Sequence, residues 1–348
     1  MRTDILDYPL PVELIAQTPA CPRDSSKLLL CPRVSGPFRI HVFRDLPDLL
    51  NRGDAIVTNS ARVMPARLFG YKYPAGARIE VFLLERLPDE SSHGYPRFKA
   101  LLRRRRRLEK GDVVLFPEST LVARIVESDD EVGEDIVELS GVDDVDTEIE
   151  RIGRIPLPPY IKDYRGDIEK YQTVYATTTG SVAAPTAGLH FTPDVLRSLD
   201  KRGIQRVEGY LRVGWGTFSP IRTENLEEHR LHEEFGTLSE KAATMLNEAR
   251  KKGGRIVAVG TTMTRLLETA VDEGGTLHPF SGPTGKYIVP GYEFRAIDAL
   301  LTNFHLPRTS LLALVAAFMG VERTLDAYRF AVENRFRFYS FGDAMLIL

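Results

Sequence analysis

One loop of small residues and two histidines carry most of the chemistry this chain can offer. The segment from Tyr171 to Thr192 reads YQTVYATTTGSVAAPTAGLHFT, in which Gly180, Ser181, Ala183, Ala184, Pro185, Thr186, Ala187 and Gly188 run small side chains toward a helix starting near Pro193. Small side chains let a backbone approach a ligand closely, and free N–H groups near a helix start favour a carboxylate or phosphate. The same run would also serve as a tight connection between packed elements. His190 ends this loop, and His305 follows the apolar run ALLTNF. Imidazole titrates near neutral pH, so both are candidates for proton transfer; the alternative is a buried, hydrogen-bonded structural histidine. Gly260-Thr261-Thr262 joins a strand to a helix N-terminus, a natural anion or ribose site that also occurs without ligands.

His229 and His232 stand three residues apart with Glu234 close by. That spacing raises a metal reading, but H-E-x-x-H is missing and no cysteine cluster adds ligands, so no metal site is expected. Cys21 and Cys31 are the only cysteines, which excludes a disulfide framework and leaves reduced thiols. Trp215, between Gly214 and Gly216, offers a ring for stacking on a base or for core packing.

The elements that must hold these groups are legible in the punctuation. Ser239 caps a helix over EKAATMLNEARKK, Gly253-Gly254 end it, and RIVAVG follows as a buried strand. Thr261-Thr262 are expected to cap the next helix, MTRLLETAVDE, with Gly274-Gly275 closing it. ALLTNFHL then reads as a strand, SLLALVAAFMG as an apolar helix and AMLIL as a final strand. Earlier, Thr192 with Pro193 starts the helix DVLRSLDKR, and QRVEGYLRV comes after it as a strand. Such alternation predicts an α/β main domain with a mostly parallel sheet, and places His305 at the strand end where such sheets bind ligands.

Between about Pro65 and Gly153 the pattern becomes short alternating segments, among them RIEVFLLERL, RFKALLRR, DVVLFP, LVARIV and DIVELSG. That is the signature of an all-β, barrel-like domain. The segments KLLLC, LPDLLNRG and AIVTN on its N-terminal side resemble those on its C-terminal side, so residues 65–150 are read as an insertion. Residues 1–64 and 151–348 then form one discontinuous α/β catalytic domain. The insertion carries five consecutive arginines, Arg103 to Arg107, and twelve acidic residues between Glu127 and Glu150 without a Lys or Arg. The arginines read as a solvated face or as a phosphate contact.

A chain of 348 residues with 43% hydrophobic and 27% charged residues is ordinary globular composition, sized for two cores. No apolar run approaches the roughly 20 residues that span a bilayer. Acidic residues at Asp4, Asp7 and Glu13 interrupt any signal-peptide core, so a cytoplasmic location without membrane association is expected. A net charge of -2 excludes a globally basic nucleic-acid coat but not a local basic patch.

Ten segments together carry a resemblance. LPVELIAQTPACPRDSSKLLL, GDAIVTNSARVMPARLFG, RIPLPPYI, YQTVYA with GSVAAPTAGLHFT, VGWGTF, EEHRLHEEF, VGTTMTRLLE, PGYEF, LLTNFHLPRTSLLALVAAF and FYSFGDAMLIL occur in the order found in one family. They resemble the signatures of the S-adenosylmethionine:tRNA ribosyltransferase-isomerases of queuosine biosynthesis. The resemblance implies transfer and isomerisation of the ribosyl group of S-adenosylmethionine onto 7-aminomethyl-7-deazaguanine at the tRNA wobble position. Adenine and methionine leave, and the product is epoxyqueuosine. No permanently bound cofactor is implied, because the sulfonium of S-adenosylmethionine activates the neighbouring carbon. A monomer is the expected state.

Within the matched motifs the resemblance suggests residue roles. His190, His305, Asp343 and Glu234 are catalytic candidates, with Asp24 and Glu268 as further acid/base groups or anchors; fold-stabilising ion pairs are the alternative for the carboxylates. Arg62 and Arg265 are candidates for the methionine carboxylate, joining Gly180, Ser181, Ala184, Pro185, Thr186, Gly188, Gly260, Thr261 and Thr262 around S-adenosylmethionine. Arg23, Arg67, Arg104 and Arg106 are candidates for RNA. Ala61, Arg212, Pro283, Gly285 and Ala316 depart from the family's usual Thr, His, Trp, Asp and Ser. These departures motivate a second reading, a paralogue that binds tRNA or S-adenosylmethionine with altered or lost catalysis.

Overall fold

The computed structural model describes the chain except residues 89–93, 104–107, 129–132, 163, 215 and 217–219. The chain divides into two compact units: Met1–Arg62, Pro158–Thr178 and Ala184–Leu348 form one, and Val63–Leu157 with Thr179–Ala183 form the other. The short stretch from 179 to 183 thus belongs with the β segment and not with the loop beyond it.

The larger unit is built on nine strands: β1 (Lys27–Cys31), β2 (Arg39–Val42), β3 (Ala55–Asn59), β12 (Gln205–Leu211), β13 (Glu234–Leu238), β14 (Ile256–Val259), β15 (Phe280–Thr284), β16 (Ala299–Asn303) and β17 (Ala344–Ile347). Their order is β15-β13-β12-β3-β14-β16-β17-β1-β2. The middle run β12-β3-β14-β16 is parallel, as is β17-β1, whereas the other four pairings are antiparallel. The sheet is therefore mixed, with a parallel heart, and the expectation of a mostly parallel sheet holds at its centre. Side chains alternate between the two faces. Ala55, Val57, Ile256, Ala258, Leu300 and Met345 enter one core, and Ile56, Val257, Val259, Leu301 and Leu346 enter the other.

Helices cover both faces. On the first lie α4 (Glu240–Lys251), α5 (Gly260–Ala270), α6 (Ser310–Met319) and α7 (Val321–Glu333); on the second lie α1 (Leu46–Leu49) and α3 (Pro193–Lys201). Caps match the local sequence: Thr192 accepts from the Val195 amide at 3.3 Å and Ser239 from that of Ala242 at 3.1 Å. Nearly every residue of α5 and α6 is buried, so these two helices sit inside the fold rather than on it.

Two sequence expectations about α5 are corrected. Thr261 and Thr262 do not cap it but lie in its first turn, because Gly260 takes a φ of +83° and turns the chain from β14 directly into the helix. Nor do Gly274-Gly275 close it: the helix ends at Ala270, and Asp272 Oδ1 accepts from the Thr276 amide at 2.8 Å to form a separate turn.

In the smaller unit β5 (Arg67–Tyr73), β6 (Arg78–Arg86), β7 (Arg97–Arg103), β8 (Val113–Leu115), β9 (Val122–Ser128) and β10 (Asp135–Ser140) close into an antiparallel barrel, with α2 (Val145–Ile152) after it. Leu68, Val81, Ala100, Val114, Ala123 and Val137 point inward and fill it. Two short strands, β4 (Ala61–Val63) and β11 (Thr178–Ser181), span the unit boundaries in the sequence.

Candidate active site

The C-terminal ends of the parallel strands β14 and β16 open into a small cleft. Strand ends of this kind are where α/β sheets bind ligands. Its floor comes from the first turn of α5 and from Thr302, Asn303 and His305. Its wall comes from Ala184, Pro185, Thr186 and Ala187 of the small-residue loop. Of the residues chosen from sequence, Ala184, Pro185, Thr186, Gly260, Thr261, Thr262 and His305 line this cleft together. Thr302, Asn303, Val213 and Leu311 also line it and were not foreseen. The signal for Thr302 and Asn303 was present, since two polar residues end an otherwise apolar buried strand.

The first turn of α5 directs its amides and the positive end of its dipole toward the cleft, and the preceding Val259 supplies no side-chain cap. Thr262 is only 7% exposed, and its Oγ1 has no hydrogen-bond partner among the described residues. A buried hydroxyl left unpaired costs about 1–3 kcal/mol. It is the polar atom here that most requires a partner from outside the chain.

His305 is held at both ends of its backbone: its amide donates to the Tyr328 hydroxyl at 3.0 Å and its carbonyl accepts from Tyr8 at 2.5 Å. Its Nε2 lies 3.0 Å from Thr302 Oγ1, and among the described residues its Nδ1 has no partner. Burial pushes the imidazole down to about 3, so the ring is neutral at physiological pH.

His190 differs. It does not line the cleft, and both ring nitrogens are engaged: Nδ1 lies 2.8 Å from Ser26 Oγ and Nε2 lies 3.2 Å from Asn303 Nδ2. Asn303 Oδ1 accepts from Thr186 Oγ1 at 2.9 Å, so the Asn303 amide donates to Nε2 and the proton of His190 resides on Nδ1. Burial first, then the charges of Arg337 and Arg23, push this imidazole down to about 3. Phe43 stacks on the ring at 5.0 Å. Ser26 escaped the sequence reading because it is one of several polar residues in the run DSSK leading into β1.

The carboxylates chosen from sequence hold the framework. Glu234 and Arg265 form an ion pair with side chains 4% and 5% exposed; Glu234 Oε1 also accepts from the Gly214 amide at 2.8 Å, and Arg265 Nε donates to the Lys286 carbonyl at 2.9 Å. Asp343 accepts from the amides of Lys27 at 3.0 Å and Arg337 at 2.8 Å. Glu268 accepts from the amides of Arg295, Ala296 and Ile297 and from the Tyr292 hydroxyl. Asp24 accepts from Thr192 Oγ1 at 3.0 Å. None of these residues lines the cleft: Asp343 ties the backbone at Lys27 to that at Arg337, Glu268 and Glu234 each hold backbone N–H groups together with one side chain, and Asp24 holds the side chain of Thr192.

The remaining candidates are scattered. Arg62 pairs with Glu169 at 3.2 Å on the surface, and Arg23 donates to the carbonyls of Gln172 and Glu169. Gly188 approaches Tyr175 so closely that a Cβ there would meet the hydroxyl at 2.1 Å, a packing constraint within the small-residue loop. Gly180 and Ser181 belong to the barrel unit, as does Arg67, whose Nε lies 3.3 Å from Glu80. Arg104, Arg106 and Trp215 lie outside the described residues. His229 packs edge-on against Tyr287, and among the described residues no group of three or more His, Cys, Asp or Glu is placed to hold a metal. None of the five departures lines the cleft; Ala61 and Ala316 are core residues, and the Arg212 amide is spent on the Phe235 carbonyl. No helix among the described residues is long and apolar enough to cross a membrane.

The comparisons agree over the full length. The family described as "Queuosine biosynthesis protein" matches residues 3–347. An S-adenosylmethionine:tRNA ribosyltransferase-isomerase from Syntrophomonas wolfei is 51% identical over 98% of this chain and 96% of its own. Those from Pelotomaculum thermopropionicum and Moorella thermoacetica are each 48% identical over the whole of both chains. The crystal structure of S-adenosylmethionine tRNA ribosyltransferase from Thermotoga maritima is 37% identical, covers 99% of this chain and 100% of its own, and superposes with a TM-score of 0.57. With the fold, the ordered motifs and full-length identity near one half all in agreement, the chain belongs to the S-adenosylmethionine:tRNA ribosyltransferase-isomerase family of queuosine biosynthesis, and it is an enzyme of that transferase class.

Proposed function

We propose that this chain moves the ribosyl group of S-adenosylmethionine onto 7-aminomethyl-7-deazaguanine at the wobble position of tRNA and isomerises it to epoxyqueuosine, releasing adenine and methionine. The observation that carries the reading is the cleft at the ends of β14 and β16, where an unpaired hydroxyl, a helix N-terminus and a neutral imidazole meet. In this reading the first turn of α5 takes the carboxylate of the methionyl group, and Thr262 Oγ1 supplies the adjoining hydrogen bond. His305 is in the form that accepts a proton, and Thr302 fixes its ring. His190 acts through Asn303, holding that amide and Thr186 in one orientation, and is a positioning residue. The reaction needs no resident metal or redox group, because the sulfonium of S-adenosylmethionine activates the neighbouring carbon.

The test is incubation with S-adenosylmethionine and tRNA bearing 7-aminomethyl-7-deazaguanine, with adenine release and nucleoside mass followed together. Equimolar adenine and epoxyqueuosine are expected. Binding of both substrates without adenine release would instead establish a paralogue without this chemistry.

A further inference from the structure

The strand β5 shows an outward row that no core requires. Phe69, Tyr71 and Tyr73 alternate along it and are 36%, 43% and 63% exposed, while Leu68 and Gly70 are buried. On a barrel strand every second residue faces out, and outward positions are ordinarily polar, so three aromatics at alternate positions form a contiguous exposed stripe.

The register surrounds this stripe with cations. Tyr71 lies opposite Arg78 on β6. Phe69 lies opposite Glu80, which in turn lies opposite Arg103 on β7. The Arg154 guanidinium stands over the Phe69 ring at 5.2 Å from its centroid. Arg78, Arg103 and Arg154 are all exposed. Glu80, the acidic residue in this register, is already engaged by Arg67 at 3.3 Å and by Arg103 at 4.0 Å.

We propose that this outer face of the barrel, Phe69, Tyr71 and Tyr73 with Arg78, Arg103 and Arg154, is a docking surface for unpaired nucleotides of an RNA loop. Bases stack on exposed aromatic rings, and flanking guanidinium groups meet the backbone phosphates; this combination is how sequence-tolerant single-strand binding is built. The closed barrel leaves no free strand edge at β5, which pairs with β6 on one side and β8 on the other, so an added peptide strand has no backbone to pair with. Recognition must come from side chains, and their chemistry is aromatic and cationic. The inference rests on the proposed tRNA substrate and assigns the part of the chain that grips it.

The test compares the whole chain with Tyr71→Ala/Tyr73→Ala and with Arg78→Ala/Arg103→Ala, all at solvent-facing positions. Affinity is measured for a tRNA-sized hairpin with an unpaired loop and for a fully paired duplex of equal length. The aromatic variant is expected to lose about tenfold or more in hairpin affinity, the size of one or two stacking contacts, with little change for duplex. The arginine variant is expected to lower the slope of log affinity against log salt by about one to two. With substrate tRNA, KM rises while kcat at saturation is retained. Unchanged hairpin affinity in the aromatic variant, or equal loss for hairpin and duplex, overturns the assignment. Turnover by the unmodified chain is measured in the same series, so a failed surface is distinguished from a failed reaction.

Discussion

Asn303 Nδ2 donates to His190 Nε2 across 3.2 Å, and this contact separates the two histidines that the sequence presented as equals. The Asn303 side chain stands between His190 and the cleft, whereas His305 lines the cleft itself. Replacing His190 by Ala removes a stacked, twice-bonded ring from a buried site and leaves the Asn303 amide unpaired. We expect a loss of about 2–4 kcal/mol in stability, from the cavity and the orphaned donor together. His305→Gln keeps a polar group of similar reach, and it is expected to cost about 10²–10⁴-fold in kcat with a melting temperature close to that of the parent. Single-turnover rates and melting curves on the two variants decide the matter; a stable, inactive His190→Ala and an active His305→Gln would reverse the roles.

The same burial sets a pH dependence. In the folded chain both imidazoles titrate near 3, and in the unfolded chain near 6.5. Below pH 6.5 the unfolded state takes up protons that the folded state refuses, so stability that is complete above pH 6.5 is lost progressively as pH falls toward 3. Each histidine contributes a slope of up to about 1.4 kcal/mol per pH unit. Urea unfolding between pH 7 and pH 5, where most carboxylates remain ionised, should show this slope, and His305→Gln should remove about half of the part due to these two residues. An identical slope in that variant would show that other groups carry the dependence.

The Glu234–Arg265 pair joins β13 to α5, and Glu234 also holds the Gly214 amide. Arg265→Met leaves a buried carboxylate without its cation, which is expected to destabilise the fold by about 3–5 kcal/mol. Glu234→Leu combined with Arg265→Met should recover more than half of that loss, since an apolar pair of similar volume carries no unpaired charge. Chemical denaturation of the two variants measures both numbers, and a single-variant loss below about 1 kcal/mol would contradict a structural role for the pair.

The features legible in the sequence are those set by local forces. Caps at Thr192 and Ser239 are contacts within four residues, and the apolar runs of β14, β16 and α6 report burial directly. Direction within the sheet is not local. The run Ala344–Ile347 is apolar on both faces whether it lies parallel to β1 or antiparallel to β16, and it does both. The division of polar residues into site and framework was equally hidden. Asn59 and Asn303 each end a buried strand, but Asn59 is consumed by Leu211 and Ala61 backbone groups, whereas Asn303 faces the cleft. Partners 31 residues apart, such as Glu234 and Arg265, leave no periodic trace from which to tell an ion pair from a catalytic acid.

Thr262 offers the sharpest test of the cleft. Its hydroxyl is buried in the first turn of α5 without a partner among the described residues, so in the free protein it is a cost that a methyl group of the same shape would remove. Thr262→Val should therefore leave the melting temperature unchanged or raise it, by up to about 1–3 kcal/mol in stability. If the hydroxyl meets the carboxylate of S-adenosylmethionine, the same substitution should weaken binding of that substrate about 10- to 100-fold, the range of a hydrogen bond to a charged group. Thr324→Val is the control, because Thr324 Oγ1 already donates to the Gly320 carbonyl at 2.7 Å and takes no part in lining the cleft. It should lose modest stability and no affinity. Opposite movement of stability and affinity in Thr262→Val, measured by calorimetry on one preparation, is a pattern that simple misfolding cannot produce; unchanged affinity would remove Thr262 from the site.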